Sequence, residues 1–350
     1  MSEPRSRTAR PGRWIKPLLG LLVTAAFIGL IAHQVDLSAL ANAFASLALP
    51  WLLPALALLA ADYALRILRW WWMLRVLAPG LSPTACAWPY LTSIAVNNVL
   101  PFRAGDALRA FGFRRQLQSP AMRILGTLVL ERLLDMTTLL GLFFVGLLAV
   151  PTDLFPPAIT LSAAWLTGTT ALMLAALLLL APKLPALVHW LAQRPALAER
   201  GLSERIAHWG QSFVETFAIL RRPVDALALL GLSLAIWLLE ATVFGMVALA
   251  FGTSAGPLGA LFAMATGTLS TLIPSSPGYV GTFDYFTLTA FVAYRIPEAT
   301  AAAVAFSVHA VLWLPLTLLG VGYLMIRGRG LLAGASAAKT AAQSEPEIAA

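Results

Sequence analysis

Asn97-Asn98-Val99-Leu100-Pro101-Phe102-Arg103-Ala104-Gly105-Asp106-Ala107-Leu108-Arg109 puts paired amides, a helix breaker, a glycine and three charges into one short stretch. Guanidinium groups such as Arg103 and Arg109 fork onto phosphate oxygens, and free N–H groups at a helix start add to that pull. Asp106 and Arg109 stand one helical turn apart. The chemistry open to such a stretch is holding an anion. The competing reading makes the arginines anchors whose side chains reach out to headgroups. Arg114, Arg115 and Arg123 suit that second reading, whereas Arg103 and Arg109, beside a breaker and an acid, suit the first.

Further charges sit inside apolar runs. Glu131 and Asp135 share a helix face at i and i+4, with Arg132 between them. Carboxylates at membrane depth are expensive unless paired, so partners are expected, and Arg66, Arg69 and Arg103 are the candidates. Asp62, Arg66 and Arg69 line one face of another run at i, i+4 and i+7. Asp62 and Glu240 fall near the middle of their runs. Proton carriage and simple pairing with a neighbouring helix are evenly matched readings for these two acids. A second breaker cluster, Ser270–Gly281, holds Pro274, Pro277, Gly278 and Gly281, which permit close backbone approach and positive φ. Its plain alternative is a connecting loop. Asp284 is placed to favour the next helix start, and His309, alone in the last apolar run, reads as a packing histidine. HExxH, GxSxG, P-loop and Cys/His metal spacings are missing from the sequence, so no metal or cofactor is expected.

The elements that must hold these residues follow from composition. Of 350 residues, 59% are hydrophobic and only 11% charged, and mean hydropathy is +0.80. That places the chain among polytopic membrane proteins and excludes an ordinary soluble domain. One cysteine, Cys86, excludes an internal disulfide. The net charge of +8 reads as a cytoplasmic excess of Lys and Arg rather than as a nucleic-acid surface.

The charges then set a topology. A basic cytoplasmic N-terminus (1–16) precedes a first span at about Pro17–Ala32, an uncleaved one because its small-residue triplet lies beyond His33 and Asp36. Val35–Pro50 is expected outside as an interfacial helix, and Trp51–Leu74 returns. Ser82–Val99 is apolar enough to cross, yet the arginines after it would then lie outside, against the positive-inside tendency. A re-entrant hairpin turning at Asn98–Pro101 removes the conflict, followed by a span at about Ile124–Val150. The second half runs from a span at about Ala158–Leu180 through an interfacial linker (182–222) to a span at Ala226–Phe251. A second hairpin over Pro257–Tyr294 and a last span at Thr300–Ile326 follow, before a flexible tail (328–350). The expected fold is an all-α polytopic membrane protein, one membrane domain over 17–327. It has about six full transmembrane helices plus two re-entrant helical hairpins, arranged as an inverted repeat with halves near 17–150 and 158–327. Eight plain crossings are the alternative.

Arg66-x-x-Arg69-Trp70, Asn98-Val99-Leu100-Pro101-Phe102-Arg103-Ala104-Gly105-Asp106-x-x-Arg109, Glu131-Arg132-x-x-Asp135 and Pro274-x-x-Pro277-Gly278-x-x-Gly281 together resemble the lysylphosphatidylglycerol synthase transmembrane-region family of flippase-like proteins. The order and spacing hold from about residue 15 to 327. Asp106 stands where the family usually has Glu, which shortens its reach. The expected place is a bacterial inner (plasma) membrane, with both termini cytoplasmic by the charge balance. The buried charge around the two breakers gives the leading expectation, a flippase-like carrier for a polar-headed, phosphate-bearing lipid, bound by Arg66, Arg69, Asn97, Asn98, Arg103, Asp106, Arg109, Glu131, Arg132 and Asp135; the lipid itself does not follow from the resemblance. Family members that aminoacylate lipids do so with a separate soluble domain; little chain follows Arg329, so the expectation leans away from catalysis. The alternatives are a lipid-modifying transferase or phosphatase using Glu131 or Asp135 as base, and a non-catalytic partner of lipid-, hopanoid- or glycolipid-biosynthesis enzymes. No oligomeric state follows.

Overall fold

Helices account for the regular structure of the described residues, with no strand among them. The computed structural model describes residues 15–75, 78–100, 103–148 and 215–343, with isolated positions between 150 and 213. Pro101, the loop 151–157, almost all of the span expected at 158–180, most of the linker at 182–222, most of the N-terminus and the last residues of the tail lie outside the described residues.

The helices are α1 (Ile15–Gln34), α2 (Leu37–Ala45), α3 (Leu52–Arg75), α4 (Pro83–Val99), α5 (Ala104–Ala107), α6 (Ala121–Leu147), α7 (Pro223–Ala250), α8 (Gly256–Ser270), α9 (Thr282–Ala293) and α10 (Glu298–Gln343). Leu49–Arg75, Pro223–Ala250 and Glu298–Arg327 are long and apolar enough to cross a membrane. The 27 residues of α6 would reach about 40 Å at 1.5 Å per residue, and its carboxylates, Glu131 and Asp135, turn inward. The protein is therefore an all-α polytopic membrane protein. α1 bends by 85° into α2. Asp36 makes that corner, its carboxylate accepting the Ala39 N–H at 2.9 Å. The Ser38 hydroxyl and then the Ala39 N–H hold the Asp36 carboxyl below the usual carboxylate range. The cap is thus in force above the ordinary carboxylate value and is lost as pH falls through the lowered one.

α4, α8 and α9 are 17, 15 and 12 residues long. Each falls short of the ~20 residues a span needs. The chain doubles back after α4 so that α5 lies on it, and α8 doubles back onto α9. These two helical hairpins are where the breakers predict them. Each docks on a long helix from the other half of the chain: α4 packs along α10, and α8 packs along α6. A glycine opens both contacts. A Cβ on Gly320 would lie 2.4 Å from the Ala95 Cβ, and one on Gly146 would lie 2.7 Å from the Phe262 Cβ. Close backbone approach is how helices gain packing where lipid removes the hydrophobic drive. α3 packs along α7, and one apolar core joins Leu139 of α6, Phe244 of α7, Met264 of α8, Phe291 of α9 and Val308 of α10.

Candidate functional site

Charged side chains of α3, α6 and α7, with Arg109 from beyond α5, meet inside the bundle as three linked groups. In the first, Arg66 Nε donates to Asp62 Oδ2 at 2.7 Å and its Nη2 donates to the Glu240 carboxylate. The Arg66 guanidinium lies 4.5 Å from the Trp237 ring centroid and 5.6 Å from that of Tyr63. Asp62 and Glu240 are therefore not lone acids, as the sequence allowed: both rest on one arginine. In the second group, Arg69 Nη1 donates to Asp135 Oδ1 and to Ser233 Oγ, each at 2.7 Å. Trp237 Nε1 also donates to Asp135 Oδ1, at 3.2 Å, which ties the first two groups together.

Arg109 organises the third group. Its Nη1 donates to Glu131 Oε2 at 3.0 Å and its Nε to Ser93 Oγ at 2.9 Å. The Tyr90 hydroxyl donates to Glu131 Oε1 at 3.1 Å. The rings of Tyr90 and Trp70 flank the guanidinium on two adjoining sides, their centroids 4.4 and 4.8 Å away. A desolvated cation against an aromatic face gains about 2 kcal/mol. Local backbone explains how Arg109 reaches inward. Leu108–Gly112 is a wide, π-helical turn that buries Arg109 and Ala110 while Phe111 faces out.

Several sequence expectations change here. Glu131 takes Arg109, which was not among its candidate partners; Asp135 takes Arg69, which was. Arg103 makes no ion pair among the described residues; it starts α5 in the left-handed region, at φ 52°. One of the N–H groups expected to be free at this helix start is already occupied. α5 has four residues, and its Gly105 N–H is taken by Asn97 Oδ1 at 2.8 Å. Asn97 Nδ2 donates to Asp106 Oδ1 at 2.9 Å, and Asp106 lies 3.9 Å from Arg109 Nη2. Arg132 sits at the rim, 3.9 Å from Asp135 Oδ2. Arg66 is also paired rather than free, while Asn98 Nδ2 donates to Thr317 Oγ1 of α10 at 2.9 Å. Sequence reasoning missed Tyr63, Trp70, Tyr90, Ser93, Ser233 and Trp237. The signal for some of them was present: Tyr63 follows Asp62, Trp70 follows Arg69, and Tyr90 and Ser93 are one turn apart.

Every carboxylate in this layer has an arginine nitrogen within 4 Å. The reverse does not hold. Arg69 Nε and Nη2 and Arg109 Nη2 are buried without a hydrogen-bond partner, and so are Asp62 Oδ1 and Asp135 Oδ2. Each such group forfeits about 1–3 kcal/mol until something polar meets it. Tyr90→Phe removes one donor from Glu131 but leaves Arg109 in place. We expect a loss of about 1 kcal/mol in thermal unfolding of the detergent-solubilised protein; a loss several times larger would mean that Tyr90, not Arg109, holds the acid.

The second hairpin tip closes against the first. Gly278 and Gly281 have φ of 76° and 84°, the positive values expected of them. A Cβ on Gly278 would stand 2.9 Å from Trp313 Nε1 and 3.5 Å from the Asn98 carbonyl oxygen, so the second hairpin tip lies beside the C-terminal end of α4. Pro274 and Pro277 lie exposed on the same tip. Asp284 Oδ2 accepts the Gly281 N–H at 2.8 Å, which makes it the anchor of α9.

Comparison with known proteins fits this arrangement. Residues 18–320 match the family model described as the lysylphosphatidylglycerol synthase TM region. The chain belongs to that family. Its membership covers both hairpins and the whole charged layer, and it ties this multi-pass membrane protein to a lipid-related function. The chain is also similar to the glycosyltransferase AglD of Haloferax volcanii, 28% identical over 337 residues, 87% of this chain and 53% of AglD. It thus spans about half the length of that relative. No solved structure matches the chain.

Proposed function

We propose that this family member is a flippase-like carrier that moves a polar-headed, phosphate-bearing lipid across a bacterial inner membrane. One observation carries the reading: Arg69 and Arg109, 1% and 0% exposed, keep N–H donors without partners inside the bundle. Buried guanidinium N–H groups call for anionic oxygen, and a lipid phosphate brings it in the geometry that arginine favours. Glu131, Asp135 and Asp106 keep the guanidinium groups oriented and balance their charge while no lipid is bound. The reciprocal docking of α4 on α10 and α8 on α6 supports an inverted repeat whose two re-entrant hairpins meet beside the headgroup path. An apolar cavity of about 380 Å³ between α7 and α8, lined by Leu238, Gly245, Leu258, Leu261 and Phe291, is suited to an acyl chain. Alternating exposure of the hairpin tips would let the head cross while the tails stay in lipid, and the positive-inside balance of charge favours both termini on the cytoplasmic side.

The test is reconstitution in liposomes with fluorescent lipids carrying anionic, zwitterionic or aminoacylated heads. Transport above that of empty vesicles is expected for at least one phosphate-bearing head. Arg69→Gln, checked to be folded by size-exclusion chromatography, should lower it about tenfold or more, by losing charge-assisted bonds. Absence of transport for every head overturns the reading. The name of the AglD relative favours one rival, a membrane transferase using Glu131 or Asp135 as base. Turnover of a lipid acceptor by the purified protein would establish that rival instead.

A further inference from the structure

His309 of α10 faces two acceptors at once. Its Nδ1 lies 2.8 Å from Asp284 Oδ1, and its Nε2 lies 2.9 Å from the Gly278 carbonyl oxygen. A carbonyl oxygen only accepts, and an ionised carboxylate only accepts. A neutral imidazole has one N–H and can serve one of them. Both contacts are hydrogen bonds only when the His309–Asp284 pair holds an extra proton, as imidazolium with carboxylate or as imidazole with carboxylic acid. Asp284 is 1% exposed, and its other oxygen is taken by the Gly281 N–H. Without the proton the pair becomes a single buried negative charge, the arrangement that a membrane interior tolerates least.

Among the described residues, the other charged groups around α10 are engaged elsewhere. Asp62, Arg66 and Glu240 of α3 and α7 bond to one another, and Arg109 from the wide turn bonds to Glu131. Tyr90 of α4 also bonds to Glu131, α2 has no ionisable side chain, and Tyr285 of α9 turns its ring toward Phe27 of α1. Phe283 covers the imidazole, its centroid 5.0 Å away. The two groups that the pair fastens are the ones that shape the tip. Gly278, like Tyr279 after it, has a positive φ at the turn, and Gly281 caps α9.

We propose that His309 and Asp284 form a proton-binding latch that holds the second hairpin tip against α10, and that loss of the proton frees residues 274–281. The latch deepens the carrier reading by giving it a proton-linked gate and rests on that reading only for its purpose. Its geometry stands without it. In the protonated state the tip closes on Trp313 and Asn98. After proton loss, lone pairs of His309 and an acceptor face each other at under 3 Å, and hydration of Asp284 requires the tip to lift.

The test uses the full chain in lipid nanodiscs. Isotope-labelled histidine reads by NMR whether the His309 ring carries one proton or two and whether Asp284 donates to it; His309→Gln identifies the signal. In parallel, Ser276→Cys in a Cys86→Ala background reports tip exposure through its rate with a membrane-impermeant maleimide, corrected for thiolate fraction with a free thiol. As the pH is raised stepwise, the protonated pair should give way to a deprotonated one. Labelling should rise about tenfold or more with it, the scale of a lost charge-assisted hydrogen bond. His309→Gln should label fast at every pH. Asp284→Asn should label slowly at every pH, because its amide can accept from Gly281 and donate to a neutral ring. A pair that holds no extra proton at the acid end, or the same pH step in the parent and in Asp284→Asn, overturns the latch. The first of these readouts needs no substitution that could fail to fold. If lipid movement is absent while the step persists, only the carrier reading falls; if lipid moves through a tip that is indifferent to pH, only the latch does.

Discussion

Glu131→Ala lowers stability by about 3–5 kcal/mol, the usual loss when one partner of a buried ion pair is removed. The reason lies in what is left behind. Arg109 is 0% exposed and packed against Tyr90 and Trp70, so its charge is out of contact with water, and among the described residues its other close acid is Asp106 at 3.9 Å. Replacing the whole pair, Arg109→Met with Glu131→Leu, should restore most of that stability, because a well-packed apolar pair in place of a buried ion pair is often neutral or stabilising by about 1–4 kcal/mol. Lipid movement should stay lost in the double variant. Thermal unfolding in detergent, followed by the monodisperse fraction, measures the first effect, and the liposome assay measures the second. A single variant within about 1 kcal/mol of the parent would mean that water reaches Arg109 freely.

Gly105→Ala is the second large effect, and it acts on backbone rather than charge. A Cβ there would sit 1.8 Å from the Ser93 carbonyl oxygen and 2.8 Å from Asn97 Oδ1. Neither neighbour is the free end of a flexible chain, so α5 must move off α4. That breaks the Gly105 N–H bond to Asn97 and withdraws Arg109 from Glu131. Overpacking of this kind costs about 1–3 kcal/mol where the chain can adjust. Here we expect the upper end of that range, with lipid movement abolished. Gly141→Ala, where a Cβ meets nothing within 4 Å, is the matched control and should behave as the parent. Equal transport by Gly105→Ala and the control would sink the claim that α5 must lie flush on α4.

Much of this layout is legible in the residues themselves. The apolar runs mark α3, α7 and the start of α10 to within a few residues, since hydropathy over a span is a property of the run and not of its neighbours; α10 itself continues to Gln343, past the expected end at Ile326 and into the stretch expected as flexible tail. The breakers at Pro101 and at Pro274–Gly281 mark where the short helices turn. Carboxylates at i and i+4 on α6 announce buried pairing, and Asp135 finds one of its expected arginines. The pairing of Glu131 with Arg109 was hidden, because the wide turn at Leu108–Gly112 rotates Arg109 off the face that a regular helix would give it. Arg103 looked equivalent to Arg109 by type and spacing, yet a left-handed φ at the start of α5 directs the chain elsewhere. His309 was read as packing for the same kind of reason. Its partners, 25 and 31 residues away, come to it only through the fold of the second hairpin.

The reciprocal docking of the hairpins also constrains how the molecule is made. Asn98 and Thr317, whose side chains join α4 to α10, are 219 positions apart. At about 5–20 residues per second, translation needs roughly 10–40 s to deliver the second after the first. Throughout that interval the nascent chain holds half of its interior against the insertion machinery or against water, with the surface that α10 will cover still bare. Biogenesis is therefore sensitive to the rate of synthesis downstream of α6. Slowing codons placed there should lengthen the exposed interval and raise the fraction of newly made protein taken by membrane proteases, with every residue of the mature molecule unchanged.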